Sequence, residues 1–156
     1  MRLLKEAASL IVRQATINDL DALVPLFDAY RQFYKQASDP DGARAFLEDR
    51  FEHQQSVVFV ACDVDQAVGF TQLFPSFSST RMARTFILND LFVSPAARRT
   101  GAGRALLNAA CEYGRAVGAS RLSLSTAVAN VVAQSVYEKA GWTRDTEFQA
   151  YAISLI

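Results

Sequence analysis

Two glycines and three arginines are crowded into one seven-residue stretch, Arg98-Arg99-Thr100-Gly101-Ala102-Gly103-Arg104. Glycine permits a tight turn and lets the backbone come close to a ligand. The first turn of a helix carries unpaired N–H groups and a partial positive charge. Placed together they make a cradle for an anion, and arginines beside them suit a pyrophosphate. A strand-to-helix turn with solvated arginines accounts for the same residues. Two familiar phosphate loops do not: the dinucleotide fingerprint needs a third glycine where Leu106 stands, and the nucleotide P-loop needs a Gly-Lys-Ser/Thr triplet that is absent.

The elements that must position this stretch can be read from hydrophobic period and turn residues. Ser9–Ala15 reads as a first strand, and Thr16-Ile17-Asn18-Asp19 caps a helix with Leu20, Leu23, Val24 and Phe27 at helical spacing. That helix runs on into the aromatic-rich Tyr30-Arg31-Gln32-Phe33-Tyr34 and is broken at Ser38-Asp39-Pro40-Asp41-Gly42. A second helix follows with Ala43, Phe46, Leu47 and Phe51 on one side. Ser56–Cys62 and Ala67–Phe74 read as strands joined by a turn at Asp63–Gln66, with Pro75–Ser79 as a loop and Arg81–Val93 as a long strand. Gly101-Ala102-Gly103 opens a helix that Gly118 closes. Ser120–Thr126 reads as a strand, Asn130–Ala140 as a helix closed by Gly141, and Trp142–Leu155 as a last strand or hairpin. The order β-α-α-β-β-β-α-β-α-β makes a single α/β domain over residues 1–156, with a mixed sheet and helices on both faces.

Composition narrows the class. The 156 residues are 51% hydrophobic and 21% charged, with 16 basic and 16 acidic side chains. That is a soluble globular composition without a broad basic face for nucleic acid. Met1–Ser9 lacks the apolar stretch of a signal peptide, and no run is long enough to span a membrane, so a cytoplasmic location is expected. Cys62 and Cys111 read as buried apolar residues rather than as a disulfide or metal site, and no metal is expected. His53 reads as a surface residue.

Arg98 to Gly103 resembles the pyrophosphate loop of the GNAT superfamily of N-acetyltransferases, Arg/Gln-x-x-Gly-x-Gly/Ala, and sits as there between a strand and a helix. Downstream, Asn130-Val131-Val132-Ala133 and Val136-Tyr137-Glu138-Lys139-Ala140-Gly141-Trp142 resemble the family's Asn-x-x-Ala and Tyr-x-x-x-Gly-aromatic segments. The resemblance covers nearly the whole chain. It implies a mostly antiparallel sheet of six to seven strands, in which Arg81–Val93 and Ser120–Thr126 splay apart to admit the pantetheine arm of acetyl-CoA. It further implies that Leu91, Phe92 and Val93 hold pantetheine and acetyl group through their backbone. The stretch Arg98, Arg99, Thr100, Gly101, Ala102, Gly103 and Arg104 would hold the pyrophosphate, and Asn130 and Ala133 would line the far side.

The same resemblance assigns Tyr137 as the acid that protonates the leaving sulfur. Asp90 is the candidate base, with a diamine-acetyltransferase-like strand in which Asn89 replaces a glutamate. Because strand neighbours face opposite sides, Asn89 and Asp90 can share a pocket only if the strand bulges. The acceptor site is expected at Tyr30, Tyr34, Phe77, Ser78 and Asn89, with Phe33 packed in the core. Tyr-Arg-Gln-Phe-Tyr, Leu-Asn-Asp-Leu-Phe-Val and Ala-Gln-Ser-Val-Tyr together look like a yeast branch that acetylates histones, polyamines or D-amino acids. The implied acceptor is a primary amine of a small molecule; a protein lysine acetyltransferase and a non-catalytic acyl-CoA-binding module are the alternatives. A homodimer that uses an apolar end, Phe148–Ile156, is also expected.

Overall fold

The structure is a computed structural model that describes residues 10–156. Ser9 and the rest of the N-terminal stretch lie outside the described residues. These residues form two compact units, one ending at Ser125 and one spanning Thr126–Ile156. The first contains β1 (Leu10–Gln14), α1 (Leu20–Phe33), α2 (Pro40–Glu52), β2 (Val57–Asp63), β3 (Gln66–Ser78), β4 (Ala83–Val93), α3 (Ala102–Ala116) and β5 (Arg121–Ser123). The strands lie in the order β1-β2-β3-β4-β5; the first four are antiparallel and β5 runs parallel to β4.

Alternation along the strands puts helices on both faces, as expected. On β2, Val58 and Val60 join the core made by Leu23, Val24 and Phe27 of α1 and Ala43 and Leu47 of α2. Phe59, between them, turns the other way, and its ring meets Tyr113 of α3 at 5.7 Å. Helix α3 seats Leu106, Leu107 and Ala110, all at most 1% exposed. Each such leucine contributes roughly 1.5–3 kcal/mol through burial.

The helix starts follow their caps. Thr16 and Asp19 form a reciprocal capping box ahead of α1. The break expected over Ser38–Gly42 is instead the start of α2: Asp39 accepts from the Gly42 N–H, and Pro40 occupies the first turn, where its missing N–H costs nothing. The buried Asp28 of α1 fastens this corner. It accepts from the Asp39 N–H at 2.7 Å and the Ser38 hydroxyl at 2.7 Å, and these bonds, the backbone one foremost, hold its carboxyl below the usual range.

Two strand expectations need correction. Pro75–Ser78 is not a loop: β3 continues through it, paired with β4 out to Ser78↔Ala83. β2 pairs with β3 only as far as Leu73, so beyond that point β3 has a single neighbour and tolerates a proline. The last strand, expected over Trp142–Leu155, does not form, and among the described residues the sheet has five strands in place of six or seven. The Asp145 side chain accepts from the N–H groups of Glu147 and Phe148, both at 3.0 Å. That local turn competes with an extended ladder. In this second unit α4 (Val131–Lys139) is the one regular element, and Gly141 ends it at φ 94°. No helix among the described residues is long and apolar enough to cross a membrane. Cys62 and Cys111 are free and half-buried.

Gly69 of β3 lies opposite Val93 of β4. A Cβ there would stand 2.8 Å from the Phe92 carbonyl oxygen, which is backbone and cannot swing aside. Gly69→Ala is expected to cost about 1–3 kcal/mol, read by urea unfolding; wild-type stability would show that the two strands can part without penalty.

Candidate active site

One residue sets the geometry of β4. Phe86 packs on Tyr113 of α3, at 5.6 Å, whereas Phe92, six positions on, packs on Tyr30 of α1, at 6.2 Å. An even separation on a regular strand would leave both on one face. The register explains the switch: Gln72 pairs with Asp90 but Leu73 pairs with Leu88, so Asn89 is an extra residue, a β-bulge. The condition for Asn89 and Asp90 to turn the same way is therefore met, and Asn89 Nδ2 donates to Asp90 Oδ1 at 3.0 Å.

The bulge also marks where β4 loses its outer neighbour. The ladder to β5 is only Thr85↔Arg121, Phe86↔Leu122 and Ile87↔Ser123. β5 itself is three residues long, shorter than the expected Ser120–Thr126. On the other edge β3 stays paired with β4 as far as Val93. Among the described residues, the stretch from Leu88 to Val93 thus carries an edge with no strand on it. Phe92 is 7% exposed and belongs to the core.

The loop after β4 continues that edge. A short 3₁₀ turn, Pro95–Ala97, leads into Arg98, and the Thr100 hydroxyl donates to the Ala97 carbonyl. Arg99 and Gly101 both hold left-handed backbone, at φ 64° and 87°. Such a conformation suits glycine and costs a side-chain-bearing residue about 1–2 kcal/mol. No side chain caps α3, and the first backbone bond into the helix runs from the Ala105 N–H to the Gly101 carbonyl, at 3.0 Å. Among the described residues, the N–H groups of Arg99, Thr100, Gly101, Ala102, Gly103 and Arg104 have no protein acceptor. The space in front of them is open. A Cβ on Gly101 would meet nothing within 4 Å, and one on Gly103 only Val93 Cγ2, at 3.8 Å. Arg98 Nε donates to the Val93 carbonyl at 3.2 Å, which ties that arginine to the end of β4. Arg99 and Arg104 are exposed. Unspent amides, an open cradle and cationic flanks fit a diphosphate.

Asp90 is 4% exposed and makes no ion pair among the described residues. Burial pushes its carboxyl above the ordinary range, while hydrogen bonds from Gln72, Tyr30 and Asn89 pull it back. Gln72 Nε2 donates to Oδ2 at 2.6 Å, and the buried Thr71 hydroxyl donates to the Asp90 carbonyl at 2.7 Å. Thr71 and Gln72 escaped the reading of the sequence. Their signal was a polar pair in the middle of the apolar strand Ala67–Phe74.

The expected acceptor residues separate into two places. The Tyr30 hydroxyl donates to the Asn89 carbonyl at 3.3 Å, and the Tyr34 ring meets the Tyr30 ring edge-on at 5.1 Å, so these two stand at the bulge. Phe33 was expected in the core. It is 57% exposed, because as the last residue of α1 it faces outward, with its ring 5.3 Å from that of Tyr34. Phe77 and Ser78 sit at the tip of the β3–β4 hairpin, paired with Arg84 and Ala83. At about 3.3 Å per residue this is roughly 20 Å along β4 from Asn89. The structure does not bring them to the bulge. His53 is exposed, as expected.

In the second unit Asn130 is the N-cap of α4, its Oδ1 accepting from the Ala133 N–H at 3.2 Å. The paired Asn-x-x-Ala positions are thus explained locally by a cap. Tyr137 is half-buried on the same helix, with its ring 6.3 Å from Trp142.

The pattern of the acetyltransferase (GNAT) family matches residues 23–142. The "Uncharacterized N-acetyltransferase YhfO" of Bacillus subtilis (strain 168) is 49% identical over 144 residues, covering 92% of this chain and 97% of the relative. A "Probable acetyltransferase" of Haemophilus influenzae is 38% identical over 105 residues, or 67% of this chain and 72% of the relative. A crystal structure of a probable acetyltransferase, 43% identical, superimposes with a TM-score of 0.89 over 94% of this chain and 98% of the other. A family pattern that runs from Leu23 to Trp142, on a sheet whose fourth strand bulges and parts from its fifth, places this chain in the GNAT family: it is an acetyltransferase.

Proposed function

We propose that the protein transfers the acetyl group of acetyl-CoA to a primary amine of a small molecule, such as a polyamine or an amino acid, by direct attack. The observation that carries this reading is the run of unspent amides from Arg99 to Arg104, continuous with the unpaired edge of β4. The amides and Arg98, Arg99 and Arg104 bind the diphosphate. Leu91, Phe92 and Val93 offer backbone donors and acceptors that an extended pantetheine arm can use as an added strand.

When bound, acetyl-CoA supplies an acyl carbon to the amine nitrogen and a thiolate leaving group. A free amine of pKa near 10.4 is neutral in only on the order of one molecule in a thousand at pH 7, so a proton must be removed from it. Asp90 takes that proton, directly or through a water, and Asn89 beside it orients the amine. Tyr137, in the position of the family's tyrosine, returns a proton to sulfur as the carbon–sulfur bond breaks. Tyr30 and Tyr34 receive the acceptor. Ring faces next to a buried carboxylate suit a cation. Their place at the bulge favours a small amine over a long protein segment.

The reading is tested by thiol release from acetyl-CoA across polyamines, amino acids, aminoglycosides and histone peptides. Turnover is expected with a small primary amine, and Tyr137→Phe should lower kcat by about 10²-fold with little change in coenzyme affinity. Turnover confined to peptides would replace the small-molecule assignment, and an unchanged kcat in Tyr137→Phe would remove the acid.

The protein is further proposed to be a homodimer that covers its C-terminal residues. Tyr151, Ile153 and Leu155 are each more than four-fifths exposed, and an apolar run of that kind marks an association surface. Sedimentation equilibrium should give a dimer that Ile153→Asp converts to monomer; a monomeric wild-type protein at tens of micromolar would contradict this.

A further inference from the structure

A polar chain runs through the sheet beneath the bulge. Ser56, just before β2, donates from Oγ to Gln72 Oε1 at 2.8 Å, and Gln72 donates from Nε2 to Asp90 Oδ2 at 2.6 Å. Asn89 Nδ2 occupies the other carboxylate oxygen at 3.0 Å. Gln72 is fully buried, whereas Ser56 lines an open cleft of about 340 Å³ together with Gln54, Arg84 and Tyr113.

The two ends of a side-chain amide are chemically different, and that difference decides what this chain does. In this arrangement the Ser56 hydroxyl donates to Oε1 while Nε2 faces Asp90, and the two bonds together hold the Gln72 amide in place. The end facing Asp90 is then a donor. Asn89 likewise presents a donor. A carboxylate accepts from both; a neutral carboxyl carries a hydrogen on one oxygen and would point it at an N–H. The surroundings thus select the anion by hydrogen bonding in a place where burial disfavours it. The other titratable group that faces Asp90 is Tyr30, from α1, whose single hydroxyl hydrogen lies within reach of both the Asp90 carboxyl and the Asn89 carbonyl. Among the described residues no lysine or arginine pairs with Asp90.

We propose that Gln72 and Ser56 are positioning residues for acetyl transfer, which act through Asp90 by holding its carboxylate, and with it the Asn89 bulge, in the orientation the acceptor amine meets. This rests on the reading of Asp90 as the proton acceptor. It adds two residues that touch neither acetyl group nor amine. Ser56 is the serviceable end, because it is half-buried at a cleft and a change there leaves the core intact.

The test uses the full chain labelled with ¹³C at aspartate carboxyls. The Asp90 resonance, identified by its loss in Asp90→Asn, is titrated in wild type, Gln72→Met, Ser56→Ala and Ser56→Thr. The acidic limb of the kcat/KM profile is recorded alongside with one responsive amine. Gln72→Met is expected to move the Asp90 titration upward by about one pH unit, Ser56→Ala by less, and Ser56→Thr to restore it. The acidic limb should move with it, in the same order. An Asp90 titration unmoved in both folded Gln72→Met and Ser56→Ala would overturn the proposal. So would a moved titration with an unmoved acidic limb. Full turnover in Asp90→Asn would instead sink the base assignment, an outcome separable from the anchoring that the carboxyl titration reads.

Discussion

From Thr85 to Ile87 β4 is hydrogen-bonded along both edges; from Leu88 onward it is bonded along one. A strand edge left unpaired inside a sheet is a liability, because each exposed N–H and C=O must find a partner. Among the described residues the open edge has no strand on it, and after the short turn at Pro95–Ala97 come six amides that lack acceptors at the start of α3. Sheet and loop together offer the polar backbone that the proposed coenzyme, extended and ending in an anion, would use. The local features of the site follow from that constraint. Gly101 turns the chain at φ 87°, so that the helix can present its first turn, and Thr100 braces the turn against Ala97.

The bulge at Asn89 is the second consequence. It moves the β4 side chains from one face to the other, so that Phe86 and Leu88 serve the α3 side while Asp90 and Phe92 serve the α1 side. It also places a buried carboxylate on the sheet that, among the described residues, pairs with no cation. A buried carboxylate without a counter-charge is costly unless donors surround it. Gln72 and Asn89 are donors to it, and the Ser56 hydroxyl bonds to the first of them. A polar pair inside an apolar strand, Thr71-Gln72, thus has a physical reason: one serves the backbone of Asp90, the other its side chain.

Much of this was legible in the residues. The glycine–arginine loop announced the anion cradle because its chemistry is carried by types and spacing within seven positions. The capping residues Thr16 and Asp19 announced their helix for the same reason. What was not legible depends on partners distant in sequence. Pro75–Ser78 looked like a loop because proline and serine favour turns, yet pairing with Ala83–Phe86 overrides that preference where β3 has no second neighbour. The final strand failed where Asp145 makes a local turn. The network around Asp90 needed the register of β3 on β4, which no local pattern encodes. Phe33 looked like core from its type, but its place as the last residue of α1 leaves it outside.

The central claim is that the amides of the loop before α3 are the diphosphate site. Amide ¹H–¹⁵N spectra of the labelled protein, recorded with and without coenzyme A, test it residue by residue. The account predicts that the N–H signals of Arg99 to Arg104 move downfield and become protected from exchange on addition of the coenzyme, with Leu91 to Val93 moving alongside. Those signals staying still while the coenzyme binds elsewhere, or no binding at all, would contradict it.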